Sequence, residues 1–359
     1  MTQTTVRFPV RAASACLLLI LFFLLAMHSA ETAAVTAERL HLCLETLIPS
    51  LFGCMAAANL LTDSGAAAWL GFRMRIFARL LKIPPELLTV FLVSQIAGYP
   101  VGTLLLCRMT AANRLPKDTA GRFACVCFGG GPAFLVGFAG SRLFGSAAVG
   151  WMMLTGCVLS NLLLLMLTPK PLQPAETAVP NVRLTADALP KAVSGAMRSL
   201  AAISGMVLLF GICTLLCDLT GITGILIRLG GWIGLSPQTV RAMLAACADV
   251  TQLHRIFACG FSFRMLAALS AALLSFGGIC VHLQCAALSG GIVRLRRLLL
   301  TRLAAACITF LIIYVLSDVF DLSETVAAFA HPAALSHSGS PLPAILIFCT
   351  GFPFLIKKD

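Results

Sequence analysis

Asp249-Val250-Thr251-Gln252 sets a carboxylate, a hydroxyl and an amide side by side in otherwise apolar sequence. A carboxylate at membrane depth costs about 2.5–3.5 kcal/mol on insertion scales, so proton or cation coupling is its natural use. Thr251 and Gln252 add neutral ligands beside it. The alternative is that Asp249 lies near the outer surface and pairs with Arg241 or Arg255. Roughly 150 positions earlier, Ser94-Gln95-Ile96-Ala97-Gly98-Tyr99-Pro100 also interrupts a hydrophobic run. Proline removes a backbone donor and disfavours the helical region before it, so a helix cannot continue through Gly98-Tyr99-Pro100. The freed N–H groups of a half-helix start carry partial positive charge and suit a carboxylate or phosphate. Gln95 and Tyr99 can add hydrogen bonds there. A kinked helix packed on glycines is the rival reading.

Each of these breaks is followed by a second one. Phe128-Gly129-Gly130-Gly131-Pro132 offers only backbone groups, either as ligands or as a notch for close approach. Ser275-Phe276-Gly277-Gly278 is followed by His282 and Gln284. His282 serves either packing or a proton or substrate role. The candidate substrate-binding residues are therefore Gln95, Gly98, Tyr99, Pro100, Gly129, Gly130, Gly131, Thr251, Gln252, Ser275, Gly277, Gly278 and Gln284. Asp249 and His282 are the candidates for a coupling ion or proton.

These residues need elements that can hold unwound backbone in lipid. Of the 359 residues 59% are hydrophobic and 11% charged, with a mean hydropathy of +0.96. A soluble domain carries roughly 25% charged residues, so this is a polytopic membrane protein. The net charge of +12 does not indicate nucleic acid, because no basic stripe interleaves with aromatics. The 15 cysteines lie mostly in apolar runs, as Cys16, Cys54 and Cys157 do. They read as packing residues, without the spacing of a zinc site or a disulfide framework. No phosphate-binding loop, nucleophile elbow or metal-binding His pair occurs, so the chain reads as a non-enzyme without cofactor or metal.

The expected fold is all-α, with about eight transmembrane helices at 12–30, 42–62, 121–140, 146–168, 193–217, 264–290, 298–317 and 341–356. Stretches 86–107 and 238–262 bend at their centres and read as re-entrant hairpins. Stretches 64–82 and 219–236 read as interfacial helices, with Trp69 and Trp232 at the membrane boundary. The first span lacks a small-x-small cleavage site after Met27 and reads as an uncleaved signal anchor. With both termini cytoplasmic, only Arg39, Arg142, Arg228, Arg241, Arg255 and Arg264 fall outside, and every other Lys and Arg falls inside, Arg302 included. The Pro-rich segment 169–190 is a cytoplasmic linker. The loop 317–341, with His331 and His337, reads as solvated.

Two halves follow the same order. Lys82-Ile83-Pro84-Pro85 precedes the first hairpin and Gly234-Leu235-Ser236-Pro237 the second. Each half then reads span, interfacial helix, hairpin, broken span. The first half begins outside and the second inside, so the repeats are inverted and their hairpins enter from opposite faces. The domains are an anchor (1–40), a first repeat (41–168), the linker (169–190), a second repeat (191–297) and C-terminal spans (298–359).

Gly98-Tyr99-Pro100-Val101-Gly102, Gly131-Pro132-Ala133-Phe134 and Ser275-Phe276-Gly277-Gly278 with Val281-His282 and Gln284 resemble the YlbJ (SpoVV)-type sporulation integral membrane family. That family lies within the nucleoside-recognition, or Gate, domain group. The resemblance runs from about residue 40 to 300. It departs where Gly129 and Gly130 replace Asn and Ser, where Gln252 stands in an acid-Thr-Asn-Gly element, and where no basic residue follows the first tip. The resemblance implies a fold similar to concentrative nucleoside transporters, and a location in a bacterial cell or forespore membrane. It also implies a small cargo, nucleoside-like or an anion such as dipicolinate. Two functions are carried forward. One is a permease working by alternating access, with the bilayer and a small solute as partners. The other is a sporulation scaffold without transport. The sequence leaves homo-oligomer formation open.

Overall fold

The computed structural model describes residues 7–169 and 181–319. Among these residues all regular structure is helical, as lipid requires of a chain with no open sheet edge. The first part holds α1 (Arg7–Met27), α2 (Ser29–Leu42) and α3 (Ile48–Asp63), with a π-helical turn at Cys43–Leu47 joining the last two. It continues through α4 (Ala66–Arg73), α5 (Arg75–Leu80), α6 (Pro85–Ala97), α7 (Val101–Ala111) and α8 (Lys117–Ala124), then a π-helical stretch at Ala133–Leu143 and α9 (Ala147–Leu167). The second part holds α10 (Ala188–Leu219), α11 (Ile222–Trp232) and α12 (Pro237–Ala248). After a 3₁₀ segment at Val250–Cys259 come α13 (Phe263–Phe276), α14 (Gly278–Leu288) and α15 (Leu295–Val319).

Among the described residues four segments are long and apolar enough to cross a membrane: Ala147–Leu167, Ala188–Leu219, Phe263–Leu288 and Leu295–Asp318. They coincide with the expected spans at 146–168, 193–217, 264–290 and 298–317. The first expected span, 12–30, is helix as far as Met27, and an 88° bend follows between Leu18–Met27 and Ser29–Leu47. Taken as one bent span, that pair makes a fifth. Stretch 121–140 is no single rod, since helix stops at Ala124 and regular π-helix begins only at Ala133. The expected span 341–356 lies outside the described residues, as do His331 and His337.

Local chemistry sets the boundaries. Pro85 and Pro237 open α6 and α12 at the position where a missing N–H costs least. Ser236 caps α12, its Oγ accepting from the Thr239 N–H at 3.1 Å. Gly65 and Gly221, at φ +79° and +77°, turn the chain out of α3 and α10. Just before each turn an aspartate pairs with an arginine of the following hairpin stretch. Asp63 meets Arg108 at 3.4 Å, and Asp218 meets Arg241 at 3.8 Å. Both parts thus place a left-handed glycine after a helix and then a Pro-initiated arm that ends in a break, with two short helices between in the first part, α4 and α5, and one in the second, α11.

Packing rather than transfer from water holds helices together in lipid, and small residues let backbones approach. Gly140 and Gly150 do this between the π-helical stretch and α9, where a Cβ on Gly140 would lie 2.6 Å from the Gly150 Cα. The largest buried cluster draws on both parts, with Phe134, Phe138 and Met153 beside Leu253, Ile256 and Leu274. A second joins Phe123 and Phe128 to Val281 and Cys285.

Candidate functional site

Helix α6 ends at Ala97, and Gly98 adopts φ +79°, ψ −176°, a region essentially restricted to glycine. The break Gly98-Tyr99-Pro100 then leads into α7. The triple glycine packs directly on it. A Cβ on Gly131 would meet the Ile96 carbonyl oxygen at 2.7 Å, and one on Gly98 the Gly130 oxygen at 3.0 Å. Close backbone approach is therefore the geometry of Gly129–Gly131.

The second part repeats this contact. Helix α12 stops at Asp249, and a Cβ on Gly278 would lie 3.0 Å from the Val250 nitrogen. Gly277, at φ +88°, separates α13 from α14. Its missing Cβ makes room for the Phe128 ring at 2.6 Å and the Tyr99 ring at 3.4 Å. All four breaks meet.

Between them lies a small cavity of about 40 Å³. The first part contributes Gly98, Tyr99 and Gly130, and the second contributes Asp249, Thr251 and Gln284. Apolar side chains of α3 and α10 complete the wall. Asp249 is buried at 3% exposure. Its carboxylate accepts from the Thr251 N–H at 3.0 Å and the Thr251 Oγ1 hydroxyl at 2.6 Å. The surface pairing considered for it does not form, since Arg241 pairs with Asp218 and Arg255 Nε donates to Gln252 Oε1 at 2.9 Å. Gln252 Nε2 is buried with no partner.

His282 is fully buried beside the rings of Phe128 and Phe276, with centroids at 5.6 and 4.7 Å. Its Nδ1 lies 2.6 Å from the Gly278 carbonyl oxygen. A carbonyl only accepts, so Nδ1 carries the proton and Nε2 holds a lone pair. That Nε2 has no partner. Tyr99 donates its hydroxyl to the Leu274 oxygen at 2.5 Å and packs on Phe128 at 4.8 Å.

Other candidates serve the frame. Gln95 does not reach the cavity. Its Nε2 donates to Ser94 Oγ at 3.0 Å and its Oε1 accepts from Asn161 Nδ2 at 2.9 Å. Ser275 accepts from a residue the sequence reading had placed among the cytoplasmic charges. Arg302 is fully buried. Its Nε donates to the Ser275 oxygen at 3.1 Å and its Nη2 to Ser275 Oγ at 3.1 Å. Nη1 donates to Asn161 Oδ1 at 2.7 Å and to the Cys125 oxygen at 3.2 Å. The guanidinium carbon stacks 4.7 Å from the Phe128 ring centroid. Every N–H of this cation thus has an acceptor, which a buried charge requires. Pro100 lines a larger neighbouring cavity, which shares Gln284 with the central one.

Arg39, also assigned to a loop by charge, is 3% exposed in α2. Its Nε and Nη1 are buried without a partner. Arg302 and Asn161 were missed although each carried a signal, a polar side chain within a long apolar helix. Among the described residues no group of three or more His, Cys, Asp or Glu could hold a metal ion. No family model, curated protein or solved structure matches the chain.

Proposed function

We propose that this protein is a membrane permease for a small polar or anionic solute. The observation that carries the reading is the convergence of four backbone breaks on one cavity that also holds a buried carboxylate. Interrupted backbone and an ionisable group together in apolar sequence mark solute and coupling-ion sites in carriers. Helices α7 and α14 both begin at breaks beside the cavity, and their N-terminal N–H groups favour a negatively charged ligand group. Asp249 supplies the opposite sign for a proton or cation. The common element order of the two parts supports an inverted repeat, with 86–107 and 238–262 as re-entrant hairpins around a midplane site. A nucleoside-like or dipicolinate-like cargo, and a role in sporulation, rest on the motif resemblance.

Uptake into proteoliposomes of candidate anions and nucleosides, with and without a proton gradient, tests the reading. A carrier accumulates at least one of them and loses that activity in Asp249→Asn at unchanged protein level. A scaffold takes up none, tolerates Asp249→Asn, and responds instead to changes in its Arg-rich loops.

A further inference from the structure

Helix α10 borders three cavities in succession. Near its start, Lys191, Arg198 and Ser199 line a cavity of about 940 Å³. Ile203 belongs both to that cavity and to the central one, and Val207 to the central one. From Phe210 onward, Cys213, Thr214 and Cys217 line a third cavity of about 280 Å³. The opposite wall keeps the same order at helical spacing. Leu47, Leu51 and Met55 face the central cavity, while Asn59 and Asp63 face the large one.

The two junctions differ. The large and central cavities share Ile203 and Gln284. The central and third cavities share no residue, but neighbours in the chain divide between them. Asp249 and Cys280 face the central cavity, whereas Ala248 and Ile279 face the third. The partition is one residue thick, and it is built from the broken backbone at Asp249 and the α14 turn packed against it.

We infer that these three cavities are one translocation pathway, open toward the start of α10 and closed at the Ala248–Asp249 and Ile279–Cys280 partition. The inference rests on the carrier reading above and gives it a route and a gate. A carrier keeps one side shut while the other is open, and a shared junction on one side with a thin wall on the other is that arrangement. Loosening the 3₁₀ segment against Gly278 opens the wall. Exit of the solute on the other side passes Gln284.

Thiol labelling tests this on the full-length protein in right-side-out and inside-out vesicles, using a membrane-impermeant maleimide and peptide mass spectrometry. Native Cys213 and Cys217 probe the third cavity and need no substitution, and Ser199→Cys probes the large one. Labelling of position 199 from one face only, and of Cys213 and Cys217 from the other face only, supports the pathway. Labelling of all three positions from the same face overturns it. So does protection of all three from both faces with phospholipid retained in native mass spectrometry, which would make the cavities lipid grooves. Uptake is scored separately in the same vesicles. Uptake without sided labelling removes the pathway and leaves the carrier. Sided labelling without uptake of any candidate retains two water-filled cavities on opposite faces and counts against the carrier.

Discussion

The two parts of the molecule break their backbones in matching places but equip the breaks differently. In the first, the breaks themselves contribute backbone and one ring, from Gly98, Gly130 and Tyr99. Its polar side chains, Gln95 and Asn161, are bonded to each other and to the Arg302 clamp. In the second, Asp249 and Thr251 face the cavity, while Gln252 Nε2 and His282 Nε2 remain unbonded. Hydrogen bonding of Gln95 and Asn161 ties the polar side chains beside the first part's breaks into the frame. Unused donors and acceptors leave the second part free to exchange partners, at a cost in stability that a static core would not keep. At the breaks themselves, bonded side chains lie in the first half and unbonded ones in the second.

The strongest challenge to that division is Arg302→Met. It takes the donor away from Ser275, Asn161 and Cys125 at once, and each buried acceptor left unsatisfied costs about 1–3 kcal/mol. Loss of monodisperse protein on size-exclusion chromatography in detergent is the expected result. Normal behaviour would mean that the frame is held elsewhere. Next comes Gly131→Ala, which forces a side chain into φ +69° and against the Ile96 oxygen. A loss of about 1–3 kcal/mol is expected from the strained conformation, read as a lower unfolding temperature with transport reduced in step.

Gln95→Ala removes two buried hydrogen bonds and should lower stability by about 1–2 kcal/mol, again with transport following. Asp249→Asn keeps an acceptor for the Thr251 N–H and is expected to leave the unfolding temperature within about 1 kcal/mol equivalent of wild type while abolishing accumulation. Equal stability losses in Gln95→Ala and Asp249→Asn would erase the contrast between the halves.

The smallest effect lies at the surface. The Arg297 guanidinium, hydrogen-bonded to Asp118, holds that carboxyl below its ordinary value of 3.8. A depressed folded-state value stabilises the protein above the unfolded value, and this contribution disappears as pH falls through the folded one. Asp118→Asn should therefore lower the unfolding temperature slightly at neutral pH, with the difference vanishing once acid has protonated the carboxyl in the folded protein. A difference that grew on acidification would reverse the sign.

Much of this arrangement was legible in the chain. Pro85 and Pro237 mark arm starts because proline lacks an N–H, and Gly98, Gly131 and Gly277 mark breaks because only glycine adopts their backbone angles cheaply. Four long apolar stretches announced themselves by length. Charge was a poorer guide. Counting Arg39 and Arg302 by loop side failed because hydropathy averages over a window, and a single cation with enough acceptors survives inside it. Gln95 looked like a ligand because nothing local revealed Asn161 as its partner 66 positions away.

Composition and spacing alone therefore determined an all-helical membrane chain with two pairs of interruptions, since lipid leaves few ways to satisfy a backbone. Tertiary structure alone decided which interrupted residues face the shared cavity and which are used up in the frame. The reason is physical: an acceptor is free or taken only in relation to donors that distant segments bring to it, and no local pattern records that.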